Sequence, residues 1–115
     1  MAPAERPEAL FEEAAAALSG GDRSTASDKG WEAAVAAMRS AARSRGWPSD
    51  EYRDLFEASN RLADQGADSP IARSFRIASI LPMNAGDDFL PEQDLREILQ
   101  EIGELLRWLR EAAPA

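Results

Sequence analysis

Hydrophobic positions recur along this chain at three- and four-residue intervals, while strand-type alternation of Val, Ile, Thr and Tyr is missing. That period describes one face of an α-helix, so the chain reads as all-helical. Residues 7–18 place Leu10, Phe11, Ala14 and Leu18 on one stripe, and Ser19-Gly20-Gly21 supplies the geometry that stops a helix. Asp22 fits the N-cap of a second helix that continues to Arg45 and ends at Gly46. Trp31, Ala34, Val35, Met38 and Ala42 share its inward face, which makes it a central element. Gly30 within it marks either close approach by another helix or a helix that begins later, near Asp28.

The corner Trp47-Pro48-Ser49 leads into a third helix over residues 50–65, capped by Ser49 and presenting Tyr52, Leu55, Phe56, Leu62 and Ala63. Residues 66–68 read as a loop. Ser69-Pro70 opens a fourth helix whose Ile71, Phe75, Ala78 and Leu81 point inward, and Pro82 limits it. Asn84-Ala85-Gly86-Asp87-Asp88 is turn chemistry, after which Pro91 and Glu92 open the last helix. Its apolar face of Leu95, Ile98, Leu99, Ile102, Leu105, Leu106 and Leu109 suits the centre of a bundle or a contribution to a subunit interface. For the interface, Trp108, Leu105 and Leu109 are the candidate anchors. The expected architecture is an up-and-down bundle of four main helices plus one short extra helix. It forms a single domain over residues 1–115, with frayed ends at about 1–6 and 112–115.

A net charge of −8 opposes binding to phosphate backbones, so nucleic acid is not an expected partner. Arg39, Arg43 and Arg45 fall close together, as do Arg73 and Arg76, and both groups read as solvated helix faces. The absence of cysteine removes disulfides, thiolate nucleophiles and sulfur-ligated metals, and fits a reducing cytoplasm. Glu5, Glu8, Glu12 and Glu13 oppose a secretory leader, and the longest uncharged stretch, residues 77–86, is far short of the ~20 needed to span a bilayer.

Histidine is also absent, which removes nucleophile activation by imidazole, histidine acid–base chemistry and histidine-bound metal. No catalytic residue, cofactor or metal is expected. Asn84, Asp87, Asp88 and Glu92 could offer oxygens to a hard cation, but their spacing matches no EF-hand loop and helix capping accounts for the aspartates. Gly20-Gly21-Asp22-Arg23-Ser24-Thr25 joins two helices like a phosphate loop, yet it lacks the P-loop lysine and Asp22 repels anions. Asp28 and Lys29, the sole lysine, admit two readings. Either they serve a helix end and cover apolar surface, or they line a polar cleft with an arginine of the fourth helix.

Taken in order, the short first helix, Gly21-Asp22, Ala26-Ser27-Asp28-Lys29 with Trp31, Arg45-Gly46-Trp47-Pro48 and Tyr52-Arg53-Asp54-Leu55 resemble the HEPN superfamily of small helical bundles. The nearest branch is that of the repeat-family proteins first noted in archaea, and the resemblance spans residues 10–109. Members similar to this branch carry a Leu-His-x-Asn-Phe-Tyr-like segment after the fourth helix. Here Leu81-Pro82-Met83-Asn84-Ala85-Gly86 keeps the leucine and asparagine but replaces the histidine by Pro82. HEPN ribonucleases pair an arginine, which Arg76 would match, with that histidine, and proline is neither acid, base nor donor. The resemblance therefore implies a non-catalytic, homodimeric binding or interaction module. It would partner a minimal nucleotidyltransferase or hold a nucleotide, with Asp28, Lys29, Arg73, Arg76 and Asn84 as the candidate cleft. A divergent toxin-type ribonuclease using Arg76, and a purely structural dimer, are the alternatives.

Overall fold

Six helices follow one another: α1 (Pro7–Ser19), α2 (Arg23–Ser44), α3 (Tyr52–Gln65), α4 (Ile71–Ala78), α5 (Leu81–Asp87) and α6 (Glu92–Glu111). The chain is an all-α helical bundle, as the periodicity predicts. The structure, a computed structural model, describes residues 6–65 and 70–112. The expected loop at 66–68, the Ser69 cap and the ends at 1–5 and 113–115 lie outside the described residues.

Glycine-centred turns close the first two helices. After α1, Gly21 adopts φ 83°, which returns the N–H of Asp22 to the Ala17 carbonyl (2.8 Å) and that of Gly21 to Leu18 (3.0 Å). Asp22 then caps α2, its carboxylate accepting from the Thr25 N–H at 3.0 Å. The end of α2 repeats the device at Gly46, φ 72°, with the Trp47 N–H on the Ala42 carbonyl at 3.0 Å. Both turns satisfy carbonyls that the helix ends would otherwise leave unpaired.

Two expectations change. The third helix begins at Tyr52, not at residue 50, and Ser49 does not cap it. The buried Ser49 hydroxyl accepts from Arg43 instead, and Asp54 reaches back to the Glu51 N–H at 3.1 Å. The segment around Asn84 is not a turn but the helix α5. Pro82 stands at its second position, where a missing N–H costs nothing, so the residue that ends one helix begins the next.

Helix α2 lies at the centre and touches each of the other five. Gly30 makes this possible: a Cβ there would stand 2.8 Å from Leu99 Cδ2 and 3.0 Å from Leu81 Cδ1, so close approach is the correct reading of that glycine. An aromatic layer joins α2, α3 and α4, with Trp31 5.4 Å and Phe56 4.9 Å from Phe75, centroid to centroid. The wide face of α6 is consumed within the chain. Leu105 and Leu109 are buried in the core and Trp108 packs half-buried against it, so the two leucines are not available as interface anchors.

Candidate functional site

The residues nominated for a cleft meet different fates. Asn84 is sealed inside the fold: its amide donates to Ser27 Oγ and its oxygen accepts from the Leu90 N–H, both at 2.7 Å. It fastens α5 to α2 and cannot line an open cleft. Two neighbouring contacts reinforce it, the Ser24 hydroxyl on the Ala85 carbonyl (2.7 Å) and the Arg23–Asp88 pair (3.1 Å). Lys29 lies between Glu13 of α1 (3.7 Å) and Glu32 (3.6 Å), while Asp28, Arg73 and Arg76 are exposed.

A different set of side chains converges on α2. Its positions 32, 35, 36, 39, 40 and 43 recur at helical spacing along one stripe beside the start of α1, with the buried Val35 at its inner edge, and line a groove of about 970 Å³. None of the five nominated residues lines it. Leu10, Val35 and Ala36 give it an apolar floor, and Trp31 and Tyr52 supply aromatic surface in edge-on contact at 5.7 Å. Tyr52 is 57% exposed; Trp31 is buried, and its indole N–H has no hydrogen-bond partner among the described residues.

Three arginines, Arg6, Arg39 and Arg43, line the same groove. The corner between α2 and α3 holds two of them: Arg39 Nε donates to the Ser49 carbonyl (2.9 Å) and Arg43 Nε to the Ser49 hydroxyl (3.3 Å). Neither guanidinium meets a carboxylate among the described residues, although the chain carries 21 acidic side chains. Like charges one turn apart on a helix oppose folding slightly, and the bonds to Ser49 use only the Nε of each guanidinium. The one carboxylate in the groove, Glu32, is offset by Lys29.

Sequence reasoning passed over Arg39 and Arg43 as solvated. A signal was present, since neither arginine has an acidic residue three or four positions away on its own helix. The anchoring by Ser49 is tertiary and left no local trace. Elsewhere, the Asp22 carboxyl is held below its ordinary range, first by the Thr25 backbone N–H and then by the Thr25 hydroxyl. No three metal-ligating side chains come together among the described residues, and none of the described helices is long and apolar enough to cross a membrane.

No family model and no curated protein matches this chain. Among solved structures, the crystal structure of a protein from Sulfolobus solfataricus matches with a TM-score of 0.82 at 20% identity. The match covers 94% of this chain and 96% of that one. At that identity the likeness extends to the fold alone.

Proposed function

We propose that this chain is a HEPN-like, non-catalytic binding module whose ligand is an anion with an apolar body, held in the groove along α2. The observation that carries the reading is the pair Arg39 and Arg43, free of carboxylates among the described residues and fixed by Ser49 beside Trp31 and Tyr52. In a chain of net charge −8, an unneutralised cationic groove is a local departure that favours anions. The order of segments in the sequence, carried on an all-α bundle, supports the family part. The lack of histidine and cysteine, with Pro82 in place of the family's histidine, supports binding over catalysis.

A thermal-shift panel of aryl carboxylates, sulfonates and phosphates tests this. A ligand at a hundred times its Kd stabilises by about 2.7 kcal/mol, or on the order of 10 °C for a domain of this size. At least one anion should raise the Tm of the wild type and of Lys29→Ala/Arg76→Ala, but not of Arg39→Ala/Arg43→Ala. A shift that survives in the groove variant, or a wild type that no anion shifts, overturns the proposal.

A further inference from the structure

Resting on the groove as the ligand site, we infer that Arg39 and Arg43 form a preorganised clamp for a phosphomonoester dianion whose planar alcohol portion lies over Tyr52. The two guanidiniums stand one turn apart on α2, and each is held through Nε by Ser49, which is itself buried. Their terminal nitrogens make no hydrogen bond among the described residues. Two planar donor forks tied at the back and open at the front match a tetrahedral group that accepts through several oxygens. Two fixed positive charges call for a group of charge near −2, which a phosphomonoester supplies at neutral pH and a carboxylate does not.

The groove runs past this clamp toward Glu32, about 16 Å along α2 from Arg43 at 1.5 Å per residue. Val35 and Ala36 give an apolar floor along the interval, and the exposed ring of Tyr52, edge-on to Trp31, lines the same groove. An aromatic ring beside the phosphate would cover both, and it would gain from stacking on Tyr52. The arginines act as ligand contacts in this arrangement, and Ser49 is a positioning residue.

Calorimetric titration of the full chain with phenyl phosphate, inorganic phosphate and benzoate tests the clamp. At pH 8 phenyl phosphate should bind at least tenfold more tightly than either of the others, and its advantage over benzoate should shrink at pH 5, where the phosphate carries a single charge. Arg39→Lys/Arg43→Lys keeps the charge but loses the forks and the Nε bonds to Ser49, so it should lower the melting temperature and weaken phenyl phosphate at least tenfold, with a smaller loss for benzoate. Ser49→Ala should weaken phenyl phosphate more than benzoate, a difference that general loss of stability would not produce. Equal affinity for benzoate and phenyl phosphate, or full binding by the lysine variant, sinks the clamp while leaving the groove as an anion site. Equal affinity for inorganic phosphate removes the aromatic portion from the inference. Binding of none of the three removes the clamp, and the groove proposal stands or falls separately on the wider anion panel.

Discussion

Truncating Asn84 to alanine should destabilise the protein by about 1.5–3 kcal/mol without touching the groove. The side chain is wholly buried and makes two bonds of 2.7 Å, one to Ser27 Oγ and one from the Leu90 N–H. Loss of the bond at Leu90 costs about 0.5–1.5 kcal/mol, and leaving the buried Ser27 hydroxyl without its donor costs about 1–3 kcal/mol. The hydroxyl can turn to a carbonyl of its own helix, which places the second figure toward its lower end. Against a total stability of about 6–17 kcal/mol for a chain of this length, the loss is a large shift in the urea midpoint. Ser27→Ala in the Asn84→Ala background should cost less than in the wild type, because both polar partners are then gone. An unchanged midpoint for Asn84→Ala, or strict additivity of the two changes, would refute the reasoning. A normal midpoint with lost anion binding would restore Asn84 to the cleft first assigned to it.

Gly30→Ala and Gly86→Ala should move stability in opposite directions. At Gly30 the overlap with Leu99 and Leu81 costs about 1–3 kcal/mol against a helix-propensity gain of about 1 kcal/mol, whereas Gly86 has open space around it and keeps the gain. Denaturant midpoints that move together would show that the α2–α6 packing is softer than described. The depressed Asp22 carboxyl makes the unfolded chain bind the extra proton in acid, so its contribution is complete above the ordinary aspartate value of about 3.9 and is lost as pH falls through the folded value. Asp22→Asn should flatten the acid limb of the stability curve, and parallel acid limbs for the two proteins would remove the cap from the account.

Most of the bundle was legible because 3.6-residue periodicity survives in sequence. Leu10, Ala14 and Leu18 of α1, and Trp31, Ala34, Val35, Met38 and Ala42 of α2, are buried as their spacing required. The failures have a common origin in long-range contact. Local chemistry at residues 84–88 favours a turn, but Ser24, Ser27 and Arg23 of α2 hold the segment as a helix from 57 to 65 residues away along the chain. The same holds for the site. Ser49 looked like a helix cap from its neighbours, whereas in the fold its carbonyl and hydroxyl are taken by Arg39 and Arg43.

The edge-on contact between Trp31 and Tyr52 has an optical consequence. Tyr52 is the chain's lone tyrosine, and at 5.7 Å its excitation passes to the indole before it can emit. Tyrosine emission is therefore dark while α3 stays docked on α2, and light absorbed by either ring leaves from the indole. The protein carries its own optical label at the mouth of the groove, readable without any attached dye.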